Sequence, residues 1–319
     1  MTGSLVLSLV FIGVGLGLLV WGGDWLVESA SRLAARLGVP SLVIGLTVVA
    51  FGTSAPELGV SLSAALEGSP GIAIGNVIGS NIANIGLILG LSGLIVPLTA
   101  NARLVKLEIP VMIGVSLLVF FFSFDGTISR LEGIILLVGI VIFNGGLFLL
   151  ERANPQEKPE KAAADEEKPI NPSIEALRLV FSVGLLVAGS ELLVSGATDI
   201  AVAAGISEFI IGLTLVAFGT SLPELAASIS AAVQGETDIA VGNVIGSNIS
   251  NLLLILGVTA LARPIPVAMA SVQLEFAVMI GFSLLLIPFA LNRRLGRPEA
   301  LFFLISYTVF IASAFIVNA

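Results

Sequence analysis

The chain has 319 residues, of which 56% are hydrophobic and only 11% charged, with a mean hydropathy of +1.10 and a net charge of −8. A soluble domain carries about a quarter charged residues, so this composition excludes an ordinary water-soluble fold and points to a polytopic membrane chain. Cysteine and histidine are both absent, which excludes disulfides, thiolate or imidazole metal sites, histidine-ligated haem and histidine acid–base catalysis; with no basic patch, nucleic acid is excluded as a partner.

In chain order, apolar segments long enough to cross a bilayer are expected at 4–22, 40–66, 71–97, 105–123 and 131–150. Residues 4–21 could pass for a signal peptide, but no Lys or Arg precedes them and the same segment recurs later in the chain. Residues 151–173, charged and rich in proline, read as a flexible linker. Five more spans follow at 174–196, 207–233, 238–262, 268–291 and 299–318.

The second five copy the first. Leu42–Leu98 aligns without gaps onto Phe209–Ile265, with about 35 of 57 positions identical. The same offset carries Asp24 onto Glu191, Glu108 onto Glu275 and Arg130 onto Arg297. The expected domains are therefore 1–150, the linker 151–173, and 174–319. An odd number of spans per copy turns the second upside down in the membrane, the inverted-repeat plan of secondary transporters, with the site near the midplane. Twelve basic residues fall on one side, among them Arg32, Arg36, Arg103 and Lys106, against Arg130 and Arg263 on the other. By the positive-inside rule both termini face outward and the linker is cytoplasmic.

An acid at the bilayer centre costs at least about 2.5 kcal/mol and needs a reason. Glu57 lies mid-span in Phe51-Gly52-Thr53-Ser54-Ala55-Pro56-Glu57, and Glu224 in Phe218-Gly219-Thr220-Ser221-Leu222-Pro223-Glu224. Pro56 and Pro223 lack an N–H, so the carbonyls of Gly52 and Gly219 lose their helical partners and can turn toward an ion. Thr53 and Glu57 share a helical face. Helix–helix glue is the plainer reading, but membrane glue is usually Ser, Thr or Asn. The next span of each copy carries Gly75-Asn76-Val77-Ile78-Gly79-Ser80-Asn81-Ile82-Ala83-Asn84 or Gly242-Asn243-Val244-Ile245-Gly246-Ser247-Asn248-Ile249-Ser250-Asn251. Here Ser80 and Asn84 share a face, as do Ser247 and Asn251, and the glycines suit close helix packing or close backbone approach. The donors are all oxygen: two carboxylates, hydroxyls, amides and freed carbonyls. Such a set suits a hard cation, calcium better than magnesium.

Among the remaining singled-out residues, Asp24 and Glu191 read either as lining an ion approach or as solvated acids at the headgroup boundary. Glu108 and Glu275 start spans, where an acid complements the helix dipole, and Trp21, Trp25 and Tyr307 read as interfacial or packing residues.

The strings GTSAPEL with GNVIGSNIAN, and GTSLPEL with GNVIGSNISN, resemble the two alpha repeats of the calcium/cation antiporter superfamily, and most of all its prokaryotic sodium/calcium exchangers. The resemblance covers the whole chain. It implies an all-α polytopic fold of ten transmembrane helices in two inverted five-helix repeats, and an antiporter, not an enzyme, exchanging about three Na+ for one Ca2+ by alternating access and extruding Ca2+. It implies a calcium site at Thr53, Glu57, Thr220 and Glu224, and sodium sites drawing on Ser54, Ser221, Ser80, Ser247 and the carbonyls of Ala50 and Ala217. Asn84 and Asn251 face the centre of the cluster. Asn251 replaces the Asp of potassium-dependent relatives, and the Glu-His pair of proton-coupled relatives is missing, so sodium is the expected counter-ion and Ca2+/H+ exchange the alternative. A cation channel fits less well, because channels close a ring around one axis. No cofactor is expected, the partners are Ca2+, Na+ and the lipid bilayer, and the protein is expected to be a monomer in the plasma or inner membrane.

Overall fold

In a bilayer no water is present to satisfy backbone N–H and C=O groups, so spanning segments must close their hydrogen bonds internally, and nearly every described residue of this chain is helical. The computed structural model describes residues 2–99, 101–153, 172–204 and 217–318. Its helices are α1 (Thr2–Leu37), the bent pair α2 (Ser41–Thr53) and α3 (Ala55–Leu66), α4 (Pro70–Ile95), α5 (Leu104–Phe122) and α6 (Arg130–Ala153). In the second copy come α7 (Pro172–Ala203), the short α8 (Ala217–Thr220), α9 (Leu222–Val233), α10 (Thr237–Ala262), α11 (Met269–Leu291) and α12 (Arg297–Asn318). Seven of these are long and apolar enough to cross a membrane, and the α2–α3 pair makes an eighth. Helices α9 and α12 stand where the seventh and tenth spans are expected. The first half of the seventh span, 207–216, and most of the expected linker lie outside the described residues.

Two helices outrun their expected bounds. The span expected at 4–22 continues to Leu37, and the one expected at 174–196 runs through Ala203. Hydropathy falls off at Asp24, but nothing there breaks a helix: the first proline is Pro40, and Glu28 pairs with Arg32 one turn on. At 36 residues, α1 is about 54 Å long, well beyond the bilayer's hydrocarbon core. It runs along α7 through small-residue contacts, with Gly15 against the Gly189 backbone and Gly196 against that of Ser8.

Short strands fix how the two copies are related. β1 (Leu98–Thr99) pairs antiparallel with β4 (Arg294–Leu295), and β2 (Thr127–Ile128) with β3 (Ile265–Pro266). In the repeat, β3 is the counterpart of β1 and β4 that of β2, so each strand pairs with the counterpart of the other. The loop after the third span thus meets the loop before the tenth. Those loops reach the same end of the molecule only if the second copy is inverted. Paired arginines follow the same exchange: Arg130 donates to the carbonyls of Leu261 and Ala262 at the end of α10, and Arg297 to Leu94 at the end of α4, where helix C-termini leave carbonyls without partners.

The central pair, α4 and α10, is the most buried of the spans. Ile74, Val77, Ile78 and Ile82 from α4, with Val244, Ile245, Ile249 and Leu252 from α10, belong to one continuous core. Around it, large apolar side chains such as Val141, Ile142 and Val180 are exposed, as lipid-facing surfaces require.

Candidate functional site

The two proline motifs break their helices at the same place. At Ser54 the backbone leaves helical geometry (φ −82°, ψ 9°) and the chain bends by 46° between α2 and α3. Ser221 does the same (φ −88°, ψ 3°) between α8 and α9. Pro56 and Pro223 sit in the first turn after each break, where a missing N–H does no harm. The broken helices bring Glu57 and Glu224 to the interface between the copies, each only 1% exposed.

There each carboxylate is held by the serine of the opposite motif. Ser54 Oγ donates to Glu224 Oε1 at 2.8 Å, and Ser221 Oγ donates to Glu57 Oε1 at 3.3 Å. Ser80 Oγ lies 3.4 Å from Ser221 Oγ, and Ser247 is fully buried beside the Glu224 carboxylate. Thr53 Oγ1 lies 3.2 Å from Asn243 Oδ1 and 3.4 Å from the Ala50 carbonyl, while Thr220 Oγ1 lies 3.5 Å from Asn76 Oδ1. The Ala50 carbonyl also accepts the Ser54 N–H. Ala217 opens α8, one turn before Ser221. Asn84 and Asn251 are buried where α4 and α10 cross, and a widened π-helical turn starts at each, a local feature common at functional sites.

Five oxygens of this cluster have no hydrogen-bond partner: Glu57 Oε2, Glu224 Oε2, Asn84 Oδ1, Asn251 Oδ1 and Ser247 Oγ. Buried acceptors are rarely left unpaired, and the carboxylate and amide oxygens form two symmetry-related pairs. Two buried carboxylates without a cation are costly. Oxygen-only donors, two of them acidic, form the ligand chemistry of a hard cation.

Ser54, Glu57, Ser80, Ser221, Glu224 and Ser247 are thus brought together, with Thr53 and Thr220 beside Asn243 and Asn76, Ala50 and Ala217 one turn before the motif serines, and Asn84 and Asn251 one turn beyond Ser80 and Ser247, against Asn248 and Asn81. One expectation changes. The Gly219 carbonyl, freed by Pro223, accepts a hydrogen bond from Ser190 Oγ on α7 and is already engaged without an ion. Of the repeated glycines, Gly242 and Gly246 lie against the backbone of Leu42 and Leu46, where a Cβ on Gly242 would come 2.9 Å from the Leu42 carbonyl oxygen; the counterparts of Leu42 and Leu46, at 209 and 213, lie outside the described residues.

Sequence reasoning missed the amides behind the motifs. Asn76 Nδ2 donates to the Glu57 carbonyl and to Ser61 Oγ, and Asn243 Nδ2 donates to the Glu224 carbonyl and to Ser228 Oγ. Their duplication inside apolar spans was the available signal. Asp24, read from sequence either as lining an ion approach or as a solvated acid at the headgroup boundary, accepts from Ser230 Oγ and Gln234 Nε2, tying α1 to α9; its counterpart Glu191 is exposed. Glu108 is fully buried against Arg103 Nε at 2.9 Å, an ion pair in addition to its place at a helix start.

Comparison with known proteins places these features in context. Residues 7–148 and 174–316 match the family described as Sodium/calcium exchanger protein. The sodium/calcium exchanger MaX1 of Methanosarcina acetivorans is 37% identical over 98% of this chain and 99% of its own length. An uncharacterized membrane protein of Methanocaldococcus jannaschii is 39% identical over 97% and 98% respectively. Among solved structures, the sodium-calcium exchanger NCX_Mj soaked with 2.5 mM Na+ and 10 mM Sr2+ superposes with a TM-score of 0.84 at 38% identity, covering 97% of this chain and 99% of that one.

Proposed function

The chain belongs to the sodium/calcium exchanger family, and from that premise we propose that it exchanges Na+ for Ca2+, about three for one, and extrudes Ca2+ from the cell. It is a multi-pass membrane antiporter and not an enzyme; Ca2+ and Na+ are cargo, and no cofactor is involved. The observation that carries the proposal is the set of four unpartnered oxygens on Glu57, Glu224, Asn84 and Asn251, buried where the two repeats meet.

In this reading Thr53, Glu57, Thr220 and Glu224 hold Ca2+ between the motifs. Na+ takes the overlapping oxygens of Ser54, Ser247 and the Ala50 carbonyl beside Glu224, and of Ser221, Ser80 and the Ala217 carbonyl beside Glu57. Ca2+ and Na+ then compete for the same carboxylates. Without cations, two bare charges in low dielectric oppose any rearrangement of the core, which couples the switch to loading and prevents leak. The α1–α7 pair, packed on itself through glycines, is the element suited to slide across the α4–α10 core. Both termini face outward and the 151–173 linker is cytoplasmic, following the basic residues. One chain supplies both halves of the site, so a monomer suffices.

The counter-ion is tested in proteoliposomes. Uptake of 45Ca2+ driven by an outward sodium gradient and insensitive to a protonophore is the expected result. Uptake driven by a pH gradient without sodium would replace Na+ by H+ as the coupling ion.

A further inference from the structure

An asparagine side chain offers oxygen at one end and N–H at the other, and the two ends are nearly the same size. A cation site built on Asn84 and Asn251 works only if both turn their oxygens inward, because an N–H facing Ca2+ repels it. We propose that Asn81 and Asn248 are positioning residues that set this orientation, each holding the amide nitrogen of the ion-facing asparagine on the opposite repeat. The proposal rests on the ion site assigned above.

The geometry is explicit and symmetric. Asn84 Nδ2 donates to Asn248 Oδ1 at 2.9 Å, and Asn251 Nδ2 donates to Asn81 Oδ1 at 3.3 Å. Asn84 Oδ1 and Asn251 Oδ1 are the ends left without partners. The positioning amides are themselves oriented by groups that can only accept. Asn81 Nδ2 lies 3.7 Å from Met279 Sδ, while Asn248 Nδ2 lies 3.5 Å from Met112 Sδ and 3.4 Å from the Asn81 carbonyl oxygen. A thioether has no proton to give, so it draws the NH2 end of each amide and leaves Oδ1 toward the opposite repeat. All four asparagines and both methionines are at most 1% exposed, so no water competes for these bonds. The relay runs from methionine sulfur to positioning amide to ion-facing amide, once in each direction across the interface.

Simple glue between helices would use the same hydrogen bonds without regard to which atom faces the centre, and this separates the two roles in experiment. Asn248→Leu removes the acceptor for Asn84 and should raise the KM for Ca2+ about tenfold or more, the usual effect of losing a partner behind a metal ligand. Adding Asn84→Asp should recover most of that loss, because a carboxylate presents oxygen whichever way it turns. The gain should exceed that of Asn84→Asp in the otherwise unchanged protein, the coupling a double-mutant cycle detects. The mirror pair is Asn81→Leu with Asn251→Asp. A folded Asn248→Leu protein with unchanged KM, or one that Asn84→Asp does not rescue beyond its effect alone, would overturn the proposal. If the leucine variant does not fold, Asn248→Asp keeps the acceptor: a KM near that of the parent supports the positioning role, and one raised as far as in Asn84→Ala contradicts it. A parent protein without sodium-driven uptake would instead bring down the exchange reading, and equilibrium 45Ca2+ binding to purified protein and the same variants then decides the positioning role alone, with no binding by the parent counting against it.

Discussion

Asn243 is fully buried and touches three groups at once: the Glu224 carbonyl, Ser228 Oγ and, through its oxygen, Thr53 of the other repeat. Asn76 makes the same contacts but is half-buried, so water can replace it there. Truncation should therefore be unequal despite the symmetry. Asn243→Ala is expected to cost about 1–3 kcal/mol through unsatisfied buried groups, and Asn76→Ala distinctly less, read as the shift of the thermal unfolding midpoint in detergent. Equal losses would mean that the burial difference has no energetic weight. At this scale the candidate ligand residues were legible because acids and prolines stand out in an apolar run. Their partners were not, since which amide meets which hydroxyl across the repeats depends on helix register, and Asn76 or Asn243 looks in sequence like any polar packing residue.

The broken helices α2–α3 and α8–α9 rest on Pro56 and Pro223. Pro56→Ala restores an N–H and favours a continuous helix by up to about 3 kcal/mol in propensity. The 46° bend should relax and carry Thr53 and Glu57 out of register. Calcium uptake should then fall without a lower unfolding midpoint; full uptake would show that the bend is not needed. A second element-scale consequence comes from comparing the copies. Gly126 has φ 88°, and Arg293, its counterpart in the repeat, has φ 52°, a left-handed conformation that costs a non-glycine residue about 1–2 kcal/mol. Arg293→Gly is expected to raise the unfolding midpoint, and a lower midpoint would mean that the arginine side chain outweighs the strain. The positions of the elements were legible from hydropathy and repetition, but the ends of α1 and α7 were not. Hydropathy marks where a helix leaves lipid, whereas the helix itself continues until Gly38 and Pro40 stop α1.

For the whole molecule, the inverted duplication was readable as an odd number of spans written twice, and the exchanged strand pairs β1–β4 and β2–β3 give it a physical form. The copies differ where the repetition is imperfect: Asp24 is bound by Ser230 and Gln234, whereas the counterpart of Gln234 is Glu67, an acid with no N–H to offer, and Glu191 is exposed. A three-for-one exchange moves one net positive charge per cycle, and 100 mV acts on that charge with about 2.3 kcal/mol. Imposed potassium diffusion potentials should therefore speed or slow sodium-driven calcium uptake according to their sign, and indifference to potential would exclude that stoichiometry. The most direct test of the account is 45Ca2+ uptake into sodium-loaded proteoliposomes by the unchanged protein, Glu57→Gln and Glu224→Gln. The account predicts sodium-dependent uptake by the first and its loss in both variants, each confirmed folded; uptake surviving in either glutamine variant would contradict a shared site between the repeats.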